Sequence, residues 1–153
     1  MPSQLLKEFL DENDIKYISI MHSMAFTATD IAKSAHIPSR ELAKTVIIKV
    51  DDELAMAVIP ANYKLDLSIL KETLDTQNIE LAKEHEFTKR FKDCEVGAMP
   101  PFGLLYDMNV YVAESLSEDD NIAFNAGSHL EVLQMNYKDY ENLVKPRFIF
   151  LDN

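Results

Sequence analysis

A chain of 153 residues, 47% apolar and 27% charged, is sized for a single domain, 1–153, around one well-buried core. Its lone cysteine, Cys94, excludes an internal disulfide and fits a reducing compartment, while no apolar run approaches bilayer length and Met1–Leu6 lacks a basic signal-peptide start, so a cytoplasmic protein without a membrane partner is expected. A net charge of −11 argues against DNA or any non-specific nucleic-acid binding, which rests on neutralising phosphates with Lys and Arg.

In chain order, Ser3 is positioned to cap a first amphipathic helix with Leu5, Leu6, Phe9 and Leu10 on one face. Tyr17–His22 reads as a short strand. Thr27-Ala28-Thr29-Asp30 has the form of a capping box for a helix through Ile31–Ala35, ended or interrupted by Pro38. The β-branched run Ala43–Val50 is the strongest strand signal, and Asp51-Asp52 turns it into Leu54–Pro60 as an antiparallel hairpin. Ser68 starts another helix. A strand at Ile79–Ala82 and a charged helix at Glu84–Phe91 follow. Strands are expected at Asn109–Ala113, Asn121–Asn125 and Leu130–Met135, then a helix at Tyr137–Leu143 and a last strand near Phe148. Hairpin-linked strands with interspersed short helices indicate an α+β fold on a mixed or antiparallel sheet. No Gly-x-Gly-x-x-Gly or phosphate-loop motif is present, which disfavours a nucleotide cofactor.

The three glycines are confined to one stretch. Gly97 and Gly103 bracket Gly97-Ala98-Met99-Pro100-Pro101-Phe102-Gly103, and Gly127 opens Gly127-Ser128-His129. A proline pair between glycines makes a stiff loop with bare backbone, suited either to presenting N–H groups to an oxyanion or to a plain braced turn. Lys44 alternates with Val46, Ile48 and Val50 on one strand face, so its ammonium either meets a partner in a cleft or snorkels to solvent. His129 is open to two roles, a hydrogen-bonded turn residue or a pocket wall. The four histidines and Cys94 lack paired metal-ligand spacing, so neither a metal nor a cofactor is expected, and Cys94 reads as a structural thiol.

Taken together, Ala43–Val50 with Met56–Ala61, the Gly97–Pro101 loop and Ala126-Gly127-Ser128-His129 resemble the signatures of the YbaK-type aminoacyl-tRNA deacylases, relatives of the editing domain of bacterial prolyl-tRNA synthetases. The resemblance runs from about Tyr17 to Pro146. It implies a compact α+β domain with a barrel-like sheet, and hydrolysis of the ester joining a wrong, small amino acid to tRNA for proline. Carried over by position, Lys44 would orient the terminal adenosine or stabilise negative charge. Gly97, Ala98, Met99, Pro100 and Pro101 would bring backbone N–H groups to the scissile carbonyl. His22, Phe102, Gly103, Gly127, Ser128 and His129 would contact substrate. The implied partners are the acceptor end of aminoacyl-tRNA and a prolyl-tRNA synthetase. The competing readings are a non-catalytic tRNA- or synthetase-interaction module with the same fold, and a small-molecule ester or amide hydrolase using the same pocket.

Overall fold

The structure, a computed structural model, describes residues 4–22 and 27–151; the expected cap Ser3 lies outside them. Helix α1 (Gln4–Glu12) buries Leu6 and Leu10 completely, while Leu5 is exposed. Strand β1 (Tyr17–Met21) leads towards α2 (Ala28–Ala35), whose Thr27 side chain accepts from the Asp30 N–H, satisfying one of the donors a helix start leaves open. The stop of α2 is His36, in the left-handed conformation at φ 57°, with its N–H returned to the last turn. Pro38 therefore follows the helix end and does not make it.

Strands β2 (Leu42–Val50) and β3 (Glu53–Pro60) form the expected hairpin. Asp51 and Asp52 both take positive φ, 49° and 69°, the turn geometry that matches strand twist and that Asp tolerates through its short polar side chain. Helix α3 (Leu67–Thr73) starts slightly before Ser68, because Asp66 is the cap and Ser68 supplies the N–H it accepts from. After β4 (Ile79–Leu81), the charged helix is shorter than its sequence suggests: α4 spans Glu84–Phe87 and tightens to a 3-10 turn over Thr88–Arg90. Strands β5 (Asn109–Ala113), β6 (Asn121–Asn125) and β7 (Glu131–Asn136), helix α5 (Tyr137–Val144) and strand β8 (Arg147–Ile149) complete the chain.

The strands make one mixed eight-stranded sheet in the order β1-β7-β6-β2-β3-β5-β8, with β4 paired to β2. The hairpins are antiparallel, whereas β2–β6, β3–β5 and β5–β8 are parallel. The sheet curls so that both halves share one interior: Ile47, Val58 and Val112 pack in the same cluster as Phe124, Leu133 and the rings of Phe102 and Tyr140. The outer face carries two smaller clusters. One lies under α2 and contains Leu42, Ala123 and Val132; the other contains Ile48, Ile59 and Leu70 of α3. No helix among the described residues is long and apolar enough to cross a membrane.

Candidate functional site

Two segments distant in sequence are zipped together at one end of β6. The Glu95 N–H donates to the Gly127 carbonyl at 2.8 Å, and the Gly127 N–H donates to the Ala98 carbonyl at 2.9 Å. The His129 N–H reaches the Glu95 carboxylate at 3.3 Å, and its Nε2 lies 2.8 Å from the Val96 carbonyl. A carbonyl can only accept, so Nε2 carries a hydrogen here. Gly97 and Gly127 both have positive φ, 85° and 89°, which a side chain at either position would resist. A Cβ on Gly97 would also stand 3.4 Å from His129 Cε1, so the imidazole sits directly against the bare loop. Ser128 Oγ accepts from the Leu130 N–H at 3.1 Å and tightens the turn. The Leu130 carbonyl accepts from the His22 N–H at 3.0 Å, which brings His22 to the same edge. Ser128 and His129 are both buried.

The Gly97–Pro101 loop is less open than its glycine and prolines suggest. Gly97 is exposed, but Ala98, Met99, Pro100 and Pro101 are buried. The Gly97 N–H points to Met99 Sδ at 3.2 Å, a weak acceptor that leaves this donor available, while the Ala98 N–H is taken by the Glu95 carbonyl at 3.0 Å. The Pro101 carbonyl is anchored to α5 by the buried Tyr140 hydroxyl at 2.8 Å. Phe102 and Gly103 stand behind the loop, in the core. Phe102 is fully buried against the rings of Phe9, Phe124 and Tyr140. Gly103 lets the Met108 carbonyl approach so closely that a Cβ would fall 2.2 Å from its oxygen. Both hold the loop by packing.

Lys44 stands on β2, paired across the hairpin with Ile59. On its other side the parallel register runs Leu42↔Ala123 and Ala43↔Phe124, so the next step sets Lys44 beside Asn125, the last residue of β6 before the turn. The lysine is thus one strand away from the root of the Gly127 turn. It is half-buried, on the outer face between the clusters under α2 and around α3. Burial, and then the like charge of Lys64, push its pKa below the ordinary lysine value, and no carboxylate among the described residues pairs with it.

Cys94 borders a hollow of about 250 Å³ beside the loop, lined also by Phe87, Phe91, Val96 and Met99. Burial raises its thiol to about 12, a value at which almost no thiolate exists near neutral pH, in keeping with a structural role. No group of three metal-ligating side chains forms among the described residues. A larger cleft, about 750 Å³, lies by the Asp52 turn and is lined by Arg90, Lys145 and Arg147 among others. The six strand residues Thr45–Val50, roughly 20 Å of extended chain, separate that turn from Lys44.

A family model described as the aminoacyl-tRNA editing domain matches residues 22–143. The chain belongs to this family. Curated proteins similar to it include the proline–tRNA ligase of Staphylococcus saprophyticus, 31% identical over 110 residues, which covers 68% of this chain and 19% of the ligase. The proline–tRNA ligase of Staphylococcus epidermidis is 26% identical over 111 residues, covering 72% of this chain and 19% of the ligase. The chain thus spans about a fifth of the length of these curated relatives. Among solved structures, a candidate trans-editing enzyme for prolyl tRNA synthetase superposes with a TM-score of 0.82 at 14% identity, over 98% of this chain and 96% of the other. A candidate signal transduction protein from Marinobacter aquaeolei superposes at 0.74 and 18% identity, over 99% of this chain but 30% of its own. At these identities the structural likeness speaks for the fold.

Of the residues expected at the site, Gly97, Gly127, Ser128, His129 and His22 are brought to one edge, and Lys44 to the adjoining strand. Phe102 and Gly103 are in the core. Asn125 and Glu95 were not anticipated. The only signal for Asn125 in the sequence is a polar residue ending an apolar strand directly before Ala126-Gly127, a position that also suits an ordinary strand end.

Proposed function

We propose that this protein acts in trans to hydrolyse the ester between a small, wrongly attached amino acid and tRNA, with tRNA for proline as the first candidate. The observation that carries the reading is Lys44: a half-buried ammonium that pairs with no carboxylate among the described residues, next to a second cation in a chain of net charge −11. Such a cation favours an anionic ligand, a terminal phosphate or the oxyanion of a tetrahedral intermediate. An aminoacyl ester is already activated, so no serine or cysteine nucleophile is needed. Water adds to the carbonyl carbon, the acyl C–O bond breaks, and the ribose oxygen leaves with a proton. Lys44 and the Gly97 N–H supply positive potential where charge develops, worth about 3 kcal/mol per donor in comparable sites. His129, held against Gly97, walls the space beside the loop and limits the side chain that fits. Size selection has a physical need, because a synthetase pocket rejects a smaller apolar analogue by only about 1–3 kcal/mol.

In this reading the protein works in the cytoplasm on the acceptor end, with a prolyl-tRNA synthetase as the natural partner. One observation favours the alternative of a binding module: the Ala98 N–H is already committed to Glu95, which leaves fewer free donors than a dedicated oxyanion hole offers. Incubating the protein with tRNAs mischarged with alanine, serine and cysteine separates the two. The hydrolase reading expects rapid loss of one or two esters. Stability of all of them, with prolyl-tRNA synthetase also present, favours the module.

A further inference from the structure

One cross-strand row on the outer face of the sheet is interrupted by two polar side chains. Ile20 pairs with Val132, Val132 with Asn125, and Lys44 with Ile59; the parallel β2–β6 register sets Asn125 beside Lys44. Residues paired across strands share a face, so the row reads apolar, apolar, amide, ammonium, apolar. The flanking residues on that face, Leu42 and Ala123, are also apolar and buried. Asn125 Oδ1 is buried and has no hydrogen-bond partner among the described residues. A buried carbonyl oxygen left unsatisfied costs about 1–3 kcal/mol, and nothing in the packing of this apolar row calls for an amide.

The chemistry beside it narrows what the oxygen is kept for. Its partner must be a hydrogen-bond donor. A second cation there would sit against the Lys44 ammonium, whose charge is already opposed by Lys64. A neutral hydroxyl carries no such cost, and it can accept from Lys44 while donating to Asn125. Resting on the proposed function, we infer that Asn125 is a substrate-positioning residue that accepts a hydrogen bond from the free vicinal hydroxyl of the terminal ribose. Held in this way, the hydroxyl fixes the sugar, and with it the ester carbonyl, relative to Lys44 and Gly97.

The test uses an acceptor-stem minihelix ending in 3′-alanylamino-3′-deoxyadenosine, whose amide resists hydrolysis, and the same minihelix lacking the 2′-hydroxyl. Calorimetry gives both affinities for the wild-type protein, for Asn125→Ala and for the near-isosteric Asn125→Leu. The expected result is a roughly five- to tenfold preference for the hydroxylated ligand in the wild type, falling to within about twofold in both variants. Melting temperatures should be unchanged or raised, because no protein partner is lost. A preference that persists in the variants, or a wild type without one, overturns the role of Asn125 and leaves the hydrolase reading standing. Clear destabilisation of both variants also overturns it, by showing that the amide has a structural partner. Failure of the wild type to bind either minihelix contradicts the proposed function and this inference with it.

Discussion

Gly97 and Gly103 end the same loop for different physical reasons, and alanine at each should fail differently. At Gly103 a methyl group would meet backbone, the Met108 carbonyl, and also Val110 Cγ2 at 2.6 Å. Neither gives way easily, so Gly103→Ala should cost about 3 kcal/mol or more and lower the melting temperature sharply. At Gly97 the obstacle is a positive φ and an imidazole at ordinary contact distance, which predicts a cost of roughly 1 kcal/mol with the main effect on activity. Thermal unfolding of both variants decides it, and equal losses would contradict the assignment of Gly103 to packing. Lys44 gives a second test at this scale. Its lowered pKa means the ammonium is lost at a lower pH than for an ordinary lysine, so in an NMR titration of labelled lysines its resonance should move first among the lysines. Lys64→Ala should raise that midpoint by removing the like charge. A lowered pKa also means folding opposes the charged form, so Lys44→Ala should not reduce stability near neutral pH.

Between elements, the site depends on two anchors that tie short segments to the sheet. The Gly97 loop is stitched to the β6–β7 turn by its own backbone and to α5 through Tyr140. Because the Tyr140 hydroxyl is fully buried, Tyr140→Phe leaves the Pro101 carbonyl without its donor and should cost about 1–3 kcal/mol, while loosening the loop. Hydrogen exchange at Ala98 and Gly127 should rise in that variant more than at β2 or β3; a uniform rise would show that the tyrosine stabilises the whole fold and not the loop. The β6–β7 hairpin has an anchor of its own. Glu131, almost wholly buried, is met by Lys7 of α1 at 3.0 Å and by the Ser19 hydroxyl of β1. This pins the first helix and the edge strand to the turn that carries His129.

Across the whole molecule, local order was legible in the sequence and long-range order was not. The two hairpins are announced by turn chemistry, Asp51-Asp52 in one and Gly127-Ser128 in the other, and the alternation of Lys44 with Val46 and Ile48 gives its face correctly. The start of α3 shifted because Asp66 and Ser68 both suit a cap, and only geometry shows which side chain accepts. The parallel pairing of β2 with β6 joins segments about 80 residues apart, and no local pattern encodes it. That pairing is what brings Lys44 to the glycine turn and Asn125 to Lys44. The burial of Phe102 was hidden for a related reason: a loop flanked by glycines reads as exposed until the core behind it is known. The charge of the whole chain leads to a binding prediction. At −11, with few cations near the site, the protein should hold tRNA weakly, with a shallow dependence of log affinity on log salt. Fluorescence titration at several salt concentrations measures this. Tight binding with a steep slope would mean a broad basic contact, at odds with a domain that touches only the acceptor end.

The most direct measurement is the rate of ester loss from alanyl-tRNA for proline, compared between the wild-type protein and Lys44→Ala at equal folded concentration. If the lysine stabilises developing charge, the wild type should accelerate hydrolysis well above the uncatalysed rate, and the variant should lose about a hundredfold or more of that activity with its melting temperature intact. Equal activity in the two proteins would contradict the account at its centre.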